Sequence, residues 1–136
     1  MKEFELHPQL ARDCIHVTKL DLCQLLLMNN SHYPWCILVP MRADLREIYQ
    51  LDDSEQQQVL RESSRLSRFM MEHFAGDKMN VAALGNLVPQ LHIHHIVRRQ
   101  TDNAWPAPVW GHEAALPYGA DQADAICTSL REALSP

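Results

Sequence analysis

Two almost uninterrupted apolar runs, LCQLLLM at residues 22–28 and CILVP at 36–40, set the strongest limit on how this chain can fold. Short runs of this kind, bounded by turn-forming residues, read as buried strands. The stretch between them, NNSHYPW, is rich in Asn, Ser and Pro, so the two runs are expected to pair as an antiparallel hairpin that Pro40 ends. Neither run approaches the roughly 20 apolar residues that a membrane-spanning helix needs, and no membrane association is expected.

Beyond the hairpin the hydrophobic period changes. From 54 to 75, Val59, Leu60, Leu66, Phe69, Met70 and Phe74 recur on one face of a helix. Ser54 followed by Gln57 reads as a capping box, Asp52 and Asp53 add negative charge at the positive helix end, and Gly76 is the stop. KMNVAAL at 78–84 and QLHIHHIV at 90–97 read as two further strands around the turn GNLVP. Residues 102–119, DNAWPAPVWGHEAALPYG, read as a Pro/Trp-rich loop, and a last helix over 121–134 carries Ala123, Ile126, Leu130 and Leu134 on one side. Asp121 and Asp124 complement the dipole of that helix. Strands gathered in hairpins, with helices set apart, predict an α+β fold. The 136 residues are expected to form a single domain that buries about two-thirds of its unfolded surface, with no staple or metal required for folding.

Charge removes one function class. Twelve Lys and Arg stand against 17 Asp and Glu, a net charge of −5 without any basic run, so no nucleic-acid partner is expected. Cys14, Cys23, Cys36 and Cys127 are scattered and form no C-x-x-C pair, and no secretory leader pattern is present. Free thiols in a reducing cytoplasm are the expectation.

The chemistry concentrates in PQLHIHHIVRR, 89–99, where His92, His94 and His95 hold three of the eight histidines. On a strand, Gln90, His92 and His94 share one face, and Leu91, Ile93, His95 and Val97 share the other. Isolated histidines such as His7, His16, His32, His73 and His112 read as structural, hydrogen-bonded residues. Two imidazoles at i and i+2 beside a glutamine are different, because burying that much polar surface needs partners or a purpose. One purpose is a zinc ion held by His92 and His94, although no H-E-x-x-H, H-x-H-x-D-H or Cys pair completes a recognisable set. The other is covalent catalysis at phosphorus, which needs one ring nitrogen fixed by an acceptor so that the second keeps its lone pair.

KMNVAALGNLVPQLHIHHIVRR, 78–99, resembles the signature strand pair of the histidine triad (HIT) family of nucleotide hydrolases and transferases, bacterial diadenosine polyphosphate hydrolase-like members in particular. That motif alternates three histidines with apolar residues after an LGN-x-V-P turn. Here the three positions fall on Gln90, His92 and His94. The resemblance assigns the nucleophile to His92 and a place by the phosphate to His94, and gives Gln90 the remaining catalytic position. Nucleotide binding falls to Asn29 or Asn30, which match the family's ribose-binding residue at the end of the first hairpin strand, to Asn86 beside the phosphate, and to the trailing Arg98. The match covers roughly residues 20 to 100. It implies an antiparallel sheet of about five strands with one long and one C-terminal helix, a homodimer whose sheet continues across the two-fold axis, a nucleotide substrate, and neither metal nor other cofactor.

Two departures accompany the match. Gln90 can donate and accept hydrogen bonds but cannot carry a proton. His95 stands where the family has an apolar residue, and its place on the opposite face suits the core or a subunit contact. Trp105 and Trp110 suit either stacking on a base or packing. The implied enzyme attacks the α-phosphate of a dinucleoside polyphosphate or nucleoside phosphoramidate through a nucleotidyl-histidine intermediate. The alternatives are a nucleotide-binding sensor or scaffold without turnover, motivated by Gln90, and the zinc protein.

Overall fold

In the computed structural model, which describes residues 2–136, the two apolar runs become the second and third strands of one sheet. The strands are Cys14–Lys19 (β1), Cys23–Met28 (β2), Trp35–Pro40 (β3), Lys78–Ala82 (β4) and Ile93–Arg98 (β5). Their spatial order is β1-β2-β3-β5-β4, with every neighbouring pair antiparallel. Leu25 lies opposite Leu38 in the expected hairpin. β5 returns to pair with β3, placing His94 opposite Ile37 and leaving β4 at an edge. Three α-helices complete the α+β fold: Pro8–Asp13 (α1), Asp53–His73 (α2) and Ala120–Leu134 (α3).

Alternation sorts the strand residues onto two unlike faces. Leu25, Leu27, Cys36, Leu38, Ile93 and Val97 pack against Val59, Leu66 and Met70 of α2 and Cys127, Leu130 and Leu134 of α3. On the other side Leu26, Trp35, Ile37, Val39 and Ile96 meet Leu10 of α1, Tyr33, Val88, Ala104 and Val109. Among the described residues that second face carries one short helix and irregular chain. Loops on a rigid scaffold are where binding groups can be presented, and the second face has this character.

Several expected details shift. The long helix is capped by Asp52, whose side chain accepts from the Glu55 amide, and not by Ser54. The helix ends at His73, and Leu60, expected on the apolar face, is 66% exposed. In its stead Glu62 is buried and accepts from the Leu22 and Cys23 amides at 3.0 and 2.8 Å, tying α2 to the start of β2. β1 and α1 carry no strong periodicity of their own and were not expected. All four cysteines are free. Among the described residues no helix is long and apolar enough to cross a membrane.

Candidate active site

His92 and His94 sit side by side on the loop-covered face, with ring centroids 4.9 Å apart. β5 begins only at Ile93, so His92 lies just ahead of the ladder. Its Nδ1 is 2.7 Å from the Gln90 carbonyl oxygen. A carbonyl only accepts, so Nδ1 carries the proton and Nε2 keeps its lone pair. The orienting acceptor that covalent catalysis needs is therefore supplied by the backbone two residues away. Nδ1 of His94 accepts from the indole N–H of Trp35 at 3.0 Å, and Trp110 stands edge-on to His94 with centroids 5.1 Å apart. Burial first, then the neighbouring imidazoles of His92 and His95, lower the pKa of His94 to about 3.

Both histidines line a cleft of about 680 Å³. Its rim includes Leu84, Gly85 and Asn86 from the LGN turn, where Gly85 adopts φ +78°, a backbone region that other residues rarely enter. Asn86 thus lines the same cleft as the histidines. Another part of its wall is His7, Gln9, Leu10 and Asp13, from the N-terminal segment and α1. Sequence reasoning gave this wall no role. His7 also caps α1, its Nδ1 accepting from the Gln9 amide at 3.0 Å, so it is both a structural residue and a cleft residue.

Gln90 does not join the pair with its side chain. Its Oε1 accepts from the His7 amide at 2.8 Å and its Nε2 donates to the Glu5 carbonyl at 2.9 Å. The side chain faces a neighbouring depression and fastens the N-terminal segment in place. Its catalytic assignment is corrected accordingly, to a supporting one.

Arg98 is corrected in the same way. It shares the face of His92, but its guanidinium is buried and bonded within the protein through all three nitrogens. It makes two bonds to Asp102, at 2.8 and 3.0 Å, and one each to Asn80 and the Ala107 carbonyl, with Tyr33 and Trp105 flanking it. Burial pushes the Asp102 carboxyl up, but the bonds from Arg98 and from the Arg99 and Trp105 amides outweigh it and hold it at about 2. The Trp105 part of the loop is therefore a packed structure. Trp110 instead reaches the cleft.

Asn29 and Asn30 line an adjoining depression of about 420 Å³ that shares Asp13, Met28 and Trp110 with the cleft. Asn29 Oδ1 accepts from the Tyr118 amide, and Asn30 Oδ1 from the His32 and Leu116 amides. With those oxygens committed, each side chain has its NH₂ group left for a ligand. His95 points into the helix-covered core, Nε2 2.7 Å from Ser63 Oγ and Nδ1 3.0 Å from the Ile93 carbonyl oxygen. Its fully buried imidazole is satisfied and away from the cleft.

The arrangement offers one imidazole lone pair, a second imidazole beside it and an amide at the rim, in a cleft able to hold a phosphate ester. No group of three or more His, Cys, Asp or Glu residues able to hold a metal ion is found among the described residues, which leaves the zinc reading without a third ligand. Trp35 and the N-terminal wall were invisible in the sequence for one reason: each meets the histidines only through the strand order and chain return of the fold. The one available signal was a Trp opening a strand next to a histidine strand, which is uninformative without the register.

Comparison with known proteins agrees with the geometry. Residues 9–101 match the HIT domain. A histidine triad protein from Marinobacter aquaeolei VT8 is 53% identical, with a TM-score of 0.95 over 98% of this chain and 97% of that one. One from Bradyrhizobium japonicum is 44% identical, with a TM-score of 0.95 over 98% and 99% of the two chains. One from Sinorhizobium meliloti is 39% identical, with a TM-score of 0.93 over 96% and 97%. No curated protein matches.

Proposed function

The chain belongs to the HIT domain family, a family of nucleotide hydrolases and transferases, and from that premise we propose that it acts at the α-phosphate of a nucleoside phosphate derivative through a nucleotidyl-histidine intermediate. The observation that carries the proposal is the bond from His92 Nδ1 to the Gln90 carbonyl, which keeps the Nε2 lone pair available beside His94. In the first step Nε2 of His92 bonds to the α-phosphorus and the bond to the leaving phosphate, nucleotide or amine breaks, its electron pair departing with that group and an amine taking its proton from solvent. Water then adds to phosphorus and gives a proton to solvent, the N–P bond breaks with its electron pair returning to Nε2, and the nucleoside monophosphate leaves with His92 neutral again. His94 and Asn86 stabilise the charge on the transferring phosphate, and the NH₂ groups of Asn29 and Asn30 suit ribose hydroxyls in the adjoining depression. Dinucleoside polyphosphates and nucleoside phosphoramidates are the proposed substrates. Four free thiols, three of them buried, suit a reducing cytoplasm. A homodimer belongs to the same reading.

A second reading, nucleotide binding without turnover, is favoured by one fact: the first triad position carries an amide engaged with the N-terminal segment and no proton carrier. The two readings separate on one experiment. Wild type and His92→Ala are incubated with diadenosine polyphosphates and adenosine phosphoramidate, quenched without acid, and followed for AMP release and intact mass. An AMP-sized mass increase that His92→Ala abolishes, with turnover lost by about a thousandfold or more, is expected. Tight binding with neither adduct nor turnover would establish the second reading for these substrates.

A further inference from the structure

The contact between Trp35 and His94 decides what His94 can do. An indole nitrogen only donates, so the Nδ1 that receives it at 3.0 Å must present a lone pair. The proton of the neutral ring then sits on Nε2. Among the described residues every buried side-chain nitrogen or oxygen has a partner. Nε2 of His94 has none among these residues, so it opens to the cleft that His94 lines. Trp35 and Trp110 stand edge-on to the imidazole, with centroids 5.6 and 5.1 Å away, and hold its plane. The titratable groups around it are His92 beside it, His95 on the opposite face of β5, and His7 and Asp13 in the lining of the same cleft.

We propose that Trp35 is a positioning residue: by occupying Nδ1, its indole N–H confines His94 to the neutral tautomer protonated at Nε2, making it a fixed hydrogen-bond donor to the phosphate and never a proton carrier. The inference deepens the reading given above and rests on it for the identity of the acceptor. His92 is held in the complementary form, Nδ1 protonated by its bond to the Gln90 carbonyl. Two adjacent imidazoles thus carry opposite tautomers, one presenting a lone pair for phosphorus and one an N–H for a phosphate oxygen. Burial among tryptophans, which lowers the affinity of His94 for a second proton, points the same way. Preorganised donors of this kind need no rearrangement as charge develops.

Long-range ¹H–¹⁵N correlation spectra of the ligand-free protein test the tautomer directly. From about pH 5 to 8, the range in which an ordinary histidine titrates, His94 is expected to show an unprotonated Nδ1 and a protonated Nε2 throughout. In Trp35→Phe the two nitrogens are expected to move toward each other as both tautomers become populated. A wild-type ring protonated at Nδ1, or one that becomes an imidazolium in this range, would overturn the proposal even if Trp35→Phe fails to fold. Kinetics supply the second test. A glutamine at this position can accept from Trp35 and still donate to phosphate, so His94→Gln should stay within about tenfold of wild type while His94→Ala loses about a hundredfold. Equal losses would mean that His94 carries a proton. The spectra need no substrate, so a failed tautomer assignment is distinct from a failed His92 adduct.

Discussion

At the scale of single residues, Gln90 shows how a catalytic position can be turned to support. Its carboxamide presents a donor and an acceptor side by side, the pattern needed to bridge the Glu5 carbonyl and the His7 amide. The two nitrogens of a neutral imidazole point apart and do not match that pair. The Gln90 carbonyl meanwhile orients His92, so one residue fastens both the proposed nucleophile and the N-terminal part of the cleft wall. Gln90→Ala is expected to cost about 1–2 kcal/mol through the two lost bonds and to speed exchange of the His7 amide by about tenfold, while leaving the His92 adduct formable. Unchanged exchange at His7 would show that the segment is held by other contacts. The face of Gln90, His92 and His94 was legible from alternation alone, because it depends only on the strand period. The partners of Gln90 and Arg98 were not, since Glu5 and His7 lie more than 80 positions away from Gln90 and the loop that captures Arg98 has no periodicity to read.

At the scale of elements, α2 shows which end signals a sequence displays. The apolar stripe through Val59, Leu66 and Met70 fixed the helix, but Ser54 and Gly76 misplaced its ends by a residue or two. Asp52 wins the N-cap over Ser54 because its carboxylate reaches the Glu55 amide at 2.8 Å. At the other end the left-handed residue is Ala75, with φ +51°, followed by the Gly76 amide bonding back to the Met71 carbonyl at 3.0 Å. This is the Schellman arrangement with its glycine one place late. Gly76 is required for a different reason: a Cβ there would lie 2.5 Å from Cγ1 of Val97. Cap chemistry is local, but the close approach to β5 that commits Gly76 is tertiary, and that part was not readable. Ala75→Gly is accordingly expected to raise stability by about 1 kcal/mol, while Asp52→Ala lowers it by about 1 kcal/mol and Ser54→Ala changes it by less than about 0.5. Urea denaturation of the three variants checks the order, and a stabilising Ser54→Ala or a destabilising Ala75→Gly would contradict this account of the ends.

At the scale of the whole molecule, the two sheet edges are treated differently. β1 is covered, with Arg131 of α3 donating to the Val17 carbonyl at 2.9 Å and Leu134 packed in the same core. β4 is not covered, and beside it lie Val81, Leu60 and Ile48, respectively 51, 66 and 42% exposed, around a groove of about 480 Å³ lined also by Val59 and Ile93. An open strand edge next to apolar surface is a pairing surface, and soluble chains leave one bare at the risk of unspecific association. In the proposed homodimer two β4 strands would pair about a two-fold axis and close it, each groove taking the exposed residues of the other chain. Val81 lies opposite His95 in the ladder, on the side of α2, so a charge there enters the groove without touching His92 or His94. Sedimentation equilibrium is expected to give twice the 15.6 kDa chain mass for wild type and the single mass for Val81→Arg. Because dimerisation stabilises the folded state by mass action, the wild-type Tm should rise with protein concentration and that of Val81→Arg should not. A monomeric wild type would remove the dimer from the reading, and a dimeric Val81→Arg would move the interface away from β4. His92, the carbonyl that orients it and His94 all lie within one chain, so the His92 adduct is expected from wild type and Val81→Arg alike.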